Sequence, residues 1–403
     1  MKKFIRNNKN IIVVIFFLLL IFIFIDDIVG KSLLSNSPYN SYELQVKAWL
    51  NGKTYLDHDY SYLELAIYNG KFFVSFPPLP SVILLPFVVI FNDNIPTNLI
   101  AFIAFAIEFT LIYKIIKRYR DNEITAILLA SAFTIGTNLV SLTVDSGVWF
   151  IAQLFNNLFC ILAVDAFLKG KKTLVFTFLA LAVGCRPFSA IYMIMFFVYY
   201  LIVDKNKSII SKILNNVKYL IPAVIIAIIY MTYNYIRFDN IFEFGHNYLP
   251  EFIEAEHGQF SLYYLFPNLK QLLFNKIHMD NNLNLSFDMP FCFIIANPII
   301  IVYVYRSIKN IIKNKKVDIL RLMTFITIVI NIILICLHRT LGAWQFGARY
   351  TCDILPFVFL GIIYYKKNED NNLKLNLFEI SCIVFGIIIN IFGAIIMYSD
   401  KLF

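Results

Sequence analysis

The sequence predicts an all-α, polytopic membrane protein with about eleven transmembrane helices. Three observations predict it. Of the 403 residues 59% are hydrophobic and 17% aromatic, and the mean hydropathy is +0.70, far too apolar for an ordinary soluble domain. Eleven apolar stretches approach the about 17–25 residues that a helix needs to cross the hydrocarbon. Finally, 24 of the 35 Lys and Arg residues fall in six short clusters, at 2–9, 114–120, 169–172, 205–218, 306–321 and 366–374, with two apolar stretches between each cluster and the next. Basic residues beside span ends stay on the cytoplasmic side, so the pattern places all six clusters inside.

Taken in order, the expected spans are 11–29, 97–116, 124–143, 148–168, 173–187, 188–203, 218–236, 289–305, 319–337, 351–365 and 376–397. The first could be a signal peptide, but Asp26 and Asp27 stand where a cleavage site wants small residues, and an uncleaved helix is the better reading. The apolar segment 77–91 contains Pro77, Pro78, Pro80 and Pro86. Counted as a span it would place five of the six clusters outside, so it is read as an interfacial or re-entrant segment on the outer face. The N-terminus is then inside and the C-terminus outside. Two long outer loops result, at 30–97 and 237–288, with shorter outer turns at Asp145, at Arg186-Pro187 and over 338–350. Segment 41–52 mixes Leu44, Val46, Trp49 and Leu50 with polar residues and ends at Gly52, the pattern of an interfacial helix. The same holds for 252–274.

The formal net charge of +9 belongs to this topology, because the basic residues flank spans and form no stripe interleaved with stacking aromatics; nucleic acid is not an expected partner. Six cysteines show no CxxC pair and no metal-like spacing, against both a disulfide framework and a structural zinc. The inner connections are short and basic, without room for a nucleotide-binding domain. With no internal repeat and no Pro-rich or Gly/Ser linker, one membrane domain over 1–403 is expected, its chemistry facing outward.

The most distinctive outer sequence is LELAIYNGKFFVSFPPLPS (63–81), in which Asn69-Gly70 and the pair Phe72-Phe73 precede Pro77-Pro78-Leu79. Asp145, GCRP (184–187), YNYIRFDNIFEFGHNY (233–248) and FGARYTCDILPF (346–357) follow. In these scattered short motifs, which together extend over most of the chain, the sequence resembles the bacterial membrane glycosyltransferases of the GT-C fold. That group contains the protein O-mannosyltransferases, which are dolichyl-phosphate-mannose-protein mannosyltransferase-like, and the aminoarabinose transferases. Two positions depart from its pattern. The acidic pair usual soon after the first span is replaced by Ser37-Pro38-Tyr39-Asn40, and the basic residue that often precedes Pro-Pro is Phe76.

The resemblance implies a GT-C-like fold in a bacterial cytoplasmic membrane. It also implies transfer of a sugar, with inversion, from a polyprenyl-phosphate donor to a glycan, lipid or protein acceptor at the outer face. Such a reaction needs a carboxylate to take the acceptor's proton and cations to stabilise the departing lipid phosphate. The carboxylate candidates are Asp145, Glu43, Glu64 and Asp59, with Asp57 beside the last; a pair of them could hold a divalent cation, although none has diagnostic spacing. The phosphate candidates are Arg186, Arg349, Lys71, Arg339 and His338.

Each has a plainer reading. Asp57 and Asp59 can be solvated loop charges, Glu64 can anchor a turn, Asp145 can cap a helix and Glu43 can pair with Lys47 one turn on. Arg186 interrupts an apolar run, where a charge costs about 2.5–3.5 kcal/mol at mid-bilayer on insertion scales and so calls for a partner or a purpose; the plainer reading is snorkelling at a short turn. His338 and Arg339 can mark an ordinary span end, Asn69-Gly70 a hairpin turn and Pro77-Pro78 a helix entry. The alternatives in function are a glycolipid transporter or flippase, for which only Glu108 and Asp165 lie well inside spans, a glycan polymerase or ligase, and a catalytically silent lipid-binding relative.

Overall fold

The structure, a computed structural model, describes residues 9–119, 122–206, 208–279, 281, 285–314, 317–367 and 375–399. Lys2, Lys3 and Arg6 of the first basic cluster, and Arg120, Lys207, Lys315, Lys316 and Lys374 of later ones, lie outside these.

The chain enters through α1 (Lys9–Val29) and reaches a segment made of α2 (Ser41–Leu50), a hairpin of β1 (Leu65–Tyr68) and β2 (Lys71–Val74), and α3 (Leu79–Phe91). It continues through α4 (Thr97–Tyr119), α5 (Glu123–Phe133), α6 (Leu139–Val144), α7 (Val148–Leu168), α8 (Lys172–Val183), α9 (Ala190–Val203), α10 (Ile209–Val217) and α11 (Ile221–Phe238). A second loop region carries single turns and α12 (Leu265–Phe274), then a short hairpin of β3 (Ile277–Met279) and β4 (Leu285–Phe287). The chain closes with α13 (Ile299–Asn314), α14 (Ile319–Leu337), α15 (Leu355–Lys367) and α16 (Leu377–Tyr398). Among the described residues six helical stretches, α1, α4, α7, 209–238, α14 and α16, are long and apolar enough to cross a membrane, and shorter apolar helices accompany them. This is a polytopic helical membrane protein.

Burial sorts the helices. α7 is sheathed nearly all round and packs on α8, α4 and α15, while α1, α11, α14 and α16 expose large apolar side chains such as Phe16, Phe24, Ile229, Phe325 and Ile388, the face lipid would cover. Because lipid tails are as apolar as the side chains, helix association in a bilayer rests on close packing and interhelical hydrogen bonds. Both are present. Phe22 of α1 packs edge-on against Phe102 and Phe105 of α4, with ring centroids 5.4 and 5.1 Å away, and Asn157 Nδ2 of α7 donates to the buried Glu108 Oε1 of α4 at 2.9 Å. At the basic end of the bundle Asp165 accepts from Arg118 Nη2 at 2.8 Å and from Lys169 Nζ, one helical turn on, at 2.5 Å.

Two expected spans are broken. The stretch 124–143 divides into α5 and α6, and 289–305 into a single turn at Phe293–Ala296 followed by α13. Thr134 and Thr137 hydroxyls return to carbonyls at 130 and 134, and Pro298 cannot continue the ladder before it. The freed backbone groups are satisfied across the bundle: Asn297 Oδ1 accepts from Asn138 N at 3.2 Å, Asn138 Nδ2 donates to Ala348 O at 3.1 Å, and Asn390 Nδ2 donates to Ala296 O at 2.8 Å. Non-helical backbone is tolerated at depth where protein buries it. These bonds also fix the segment at 346–354.

The first loop forms the expected hairpin. Asn69 and Gly70 both have positive φ, 48° and 71°, the geometry of the two-residue turn that Asn-Gly favours, and Tyr68 pairs with Lys71 across it. The hairpin is locked by Arg237, buried at the end of α11, whose Nη1 donates to Val74 O at 2.9 Å. Pro78 then caps α3, as expected of a helix entry. At 13 residues, α3 is about 20 Å long against about 30 Å of hydrocarbon, too short to span upright, and it packs on α2.

Candidate functional site

A cavity of about 290 Å³ opens at the end of the bundle opposite the Asp165 ion pairs, at the lower edge of the range common for small-molecule sites. The connections that the charge pattern assigns to one side all meet there. Tyr42 of α2 and Phe76-Pro77 after the hairpin form one wall, and Val148, Trp149 and Ala152 of α7 the floor. The turn at 185–188 after α8, the loop at 242–247, Gln259-Phe260 and the segment carrying His338, Arg349 and Tyr350 complete it.

Two arginines dominate the wall, in different states. Arg186 Nε donates to both oxygens of Asp353, at 3.0 and 2.8 Å; Asp353 is 0% exposed and also accepts from Asn156 Nδ2 at 3.0 Å, while Asn156 Oδ1 accepts from Ser189 Oγ at 2.6 Å. The charge of Arg186 is thus compensated. Arg349 is 4% exposed, and its Nε and Nη1 find no hydrogen-bond partner among the described residues. Its guanidinium lies over Phe150 and Tyr350, with centroids 5.6 and 5.1 Å away, and Arg186 stands over Tyr350 at 4.6 Å. Gly342, at φ +90°, makes room for it: a Cβ there would lie 2.6 Å from Arg349 Nε. An unpaired buried guanidinium beside a cavity is a ready anion site, since it lacks the acceptors that such a group requires.

The polar remainder of the wall is neutral or acidic. His338 Nδ1 lies 2.7 Å from Thr340 O, which assigns the proton to Nδ1, and its Nε2 faces Gln259 Nε2 at 3.3 Å as an acceptor. Burial, with help from Arg186 and Arg349, holds its pKa below the usual histidine value. For His246, burial and the neighbouring His338 and Arg186 push it down to about 4. An unfolded chain, with an ordinary histidine near 6.5, therefore binds more protons than the folded one between about pH 4 and 6.5, so stability rises with pH across that window. The thermal midpoint in detergent is expected to climb from pH 4 to 6.5, and His246→Gln to flatten the climb. Glu243 is the one carboxylate among the described cavity-lining residues, its Oε1 accepting from Gly245 N and its Oε2 from Asn247 Nδ2, each at 2.5 Å.

Of the residues singled out in the sequence, Arg186, Arg349 and His338 line the cavity, and the neutral tautomer of His338 removes it from the cations. Glu64 stands one bond behind the wall, its Oε2 accepting from Trp149 Nε1 at 2.8 Å. Asp145 does not reach the cavity: it takes the Gly147 N–H at 3.0 Å, just before α7, and pairs with Lys31 Nζ at 2.5 Å. Glu43 pairs with Lys47 one turn along α2, at 2.5 Å, and accepts from Asn36. Asp59 is exposed in the first loop, and Lys71 sits over the Tyr55 ring at the hairpin, 4.5 Å from its centroid. Arg339 bonds through its backbone N–H to Gln259 O at 2.8 Å, outside the lining. Asp353, Asn156, Glu243 and His246 were not singled out, although FGARYTCDILPF and FEFGHNY contain three of them. Among the described residues no three His, Cys, Asp or Glu side chains are placed to hold a metal ion.

No protein-family model matches the sequence, and no curated protein matches it. The structure is similar to the crystal structure of ArnT from Cupriavidus metallidurans bound to undecaprenyl phosphate, with a TM-score of 0.51 and 11% identity over 91% of this chain. The fold is GT-C-like. The chain spans 61% of the length of that ArnT chain, and at this identity the likeness concerns the arrangement of helices. The cavity lies where several interhelical loops of this bundle converge.

Proposed function

We propose that this protein is a membrane glycosyltransferase that moves a sugar from a polyprenyl-phosphate donor to an acceptor hydroxyl, in the cavity below α2 and the hairpin, on the outer face of a cytoplasmic membrane. The observation that carries the reading is Arg349, a buried guanidinium whose Nε and Nη1 have no acceptor among the described residues, set in a wall rich in aromatic side chains. Such a site suits a phosphate attached to an apolar chain. The GT-C-like fold, shared with a protein crystallised with undecaprenyl phosphate, supports the same ligand class. The six basic clusters support the orientation, with the cavity at the end away from them.

In this reading the acceptor oxygen attacks the anomeric carbon as the bond from that carbon to the phosphate oxygen breaks. Arg349, with Arg186 beside it, takes up the charge that develops on the departing polyprenyl phosphate. The acceptor proton passes to Glu243, the carboxylate that faces the cavity, with Asn247 and the Gly245 N–H fixing its orientation. Asp145 and Glu43, each engaged by a lysine, hold the ends of α7 and α2.

The experiment is a comparison of wild type with Glu243→Gln in lipid nanodiscs, reading sugar transfer and undecaprenyl-phosphate affinity separately. Transfer is expected to fall by about 10²–10⁴-fold, with affinity kept within about twofold. Full transfer by the variant contradicts the role of Glu243, and absence of lipid-phosphate binding by wild type contradicts the reading as a whole.

A further inference from the structure

We infer that a row of aromatic side chains leading out of the cavity is an acceptor track, and that the acceptor it takes is a carbohydrate chain; the word acceptor rests on the proposed transferase reading, the binding site does not. The row starts at the cavity floor. Trp149 packs against Tyr39 with centroids 5.6 Å apart, Tyr39 against Tyr62 at 6.1 Å, Tyr62 against Tyr60 at 6.0 Å, and Tyr60 against His58 at 4.0 Å. At its inner end Trp149 touches Phe150 at 6.3 Å, the ring beneath Arg349. Rings in edge-on or tilted contact thus run from the Arg349 guanidinium to the protein surface.

The outer rings are open, Tyr39 being 41% and Tyr62 53% exposed. The two steps that Tyr62 makes, to Tyr39 and to Tyr60, are edge-to-face, at 74° and 87°, so these neighbours do not cover the Tyr62 ring face to face. The inner end is anchored: the Val148 N–H donates to Tyr39 O at 2.8 Å, tying the first loop to the start of α7, and Glu64 fixes the Trp149 indole. Such a row is pre-organised, which lowers the ordering cost of binding.

The chemistry of the occupant follows from what lies between the rings. The segment 57–64 reads DHDYSYLE, so three carboxylates flank three aromatic side chains, and only Asp57 has a described ion pair, with Lys53 at 2.5 Å. A sugar ring presents polarised C–H groups to an aromatic face, whose quadrupole is negative, and hydroxyl donors at its rim to acceptor-only carboxylates. An acyl chain would have to desolvate those carboxylates without return, and an anionic polymer would be repelled by them. An interfacial aromatic belt spreads its rings at headgroup level, whereas these rings form a single file that enters the cavity.

The test measures binding of three uncharged hexasaccharides, chitohexaose, maltohexaose and cellohexaose, to the full-length protein in nanodiscs without donor, by saturation-transfer NMR. A decapeptide rich in Ser and Thr serves as comparison. At least one hexasaccharide is expected to bind, more tightly than its disaccharide. Tyr62→Ala with Tyr60→Ala should weaken that binding about tenfold and leave undecaprenyl-phosphate affinity within about twofold, since these rings lie at the far end of the row. The inference is overturned if no hexasaccharide binds, if binding ignores the tyrosine substitutions, or if the peptide binds instead through the same tyrosines. Hexasaccharide binding without any sugar transfer defeats the transferase reading alone; transfer to an acceptor that ignores the tyrosines defeats this inference alone.

Discussion

Arg349→Ala is expected to lower the affinity for undecaprenyl phosphate by about 10–100-fold while leaving the fold as stable as wild type or slightly more so. The binding loss follows from removing charge-assisted hydrogen bonds, each worth about 1.5–3 kcal/mol to a charged partner, at about 1.4 kcal/mol per tenfold. The absence of a stability penalty follows from the same observation that marks the site. Arg349 Nε and Nη1 have no partner among the described residues, so their burial already costs desolvation that no protein acceptor offsets. Lysine in its place keeps a point charge without the planar fork and should fall between the two. Equilibrium binding in nanodiscs and thermal unfolding of the same preparations read both quantities. A variant that loses stability in proportion to affinity would mean that Arg349 is structural.

The second large effect is expected at the Arg186 and Asp353 pair, with the opposite signature. Asp353 is wholly buried, whereas the Arg186 side chain keeps 17% of its surface exposed at the cavity. Arg186→Ala leaves a buried carboxylate held only by Asn156 and is expected to cost about 3–5 kcal/mol of stability. Asp353→Asn is milder, because the guanidinium left behind can turn toward the cavity; it should raise lipid-phosphate affinity as the net positive charge of the wall grows. Replacing both, Arg186→Met with Asp353→Leu, should recover most of the stability lost in Arg186→Ala, since well-packed apolar pairs often match buried ion pairs. Denaturation and binding measured around this cycle separate the two contributions. A double variant no more stable than Arg186→Ala would count against the account of the pair.

The spans were legible because lipid imposes one requirement, a run of apolar residues long enough to cross, and basic clusters then set the sense of each crossing. The breaks at 134–138 and at 297–298 were not, because Thr, Gly and Asn within an apolar run barely change its mean hydropathy while their side chains redirect the backbone. Arg186 stood out in sequence as a charge in an apolar run, and Arg349 as a candidate within FGARYTCDILPF. Their states did not, since the partner of Arg186 lies 167 positions away and the openness of Arg349 is a property of what surrounds it in space. The carboxylates show the same limit. Asp145, Glu43 and Asp59 are prominent in the outer loops, yet the structure brings Glu243 to the cavity, because the hairpin and Arg237 fold the loop at 242–247 inward. Trp149, an aromatic residue near the start of α7, joins the cavity floor to the rings of the first loop.

The most direct test is to supply the purified protein, in lipid, with a mixed pool of radiolabelled polyprenyl-phosphate sugars and a glycan acceptor, and to count label that leaves the lipid. Wild type is expected to release polyprenyl phosphate and place label on the acceptor, with Arg349→Ala slower by about 10–100-fold at limiting donor. Tight, Arg349-dependent binding of the lipid with no movement of label by wild type would contradict the transferase and leave a protein that only holds the lipid.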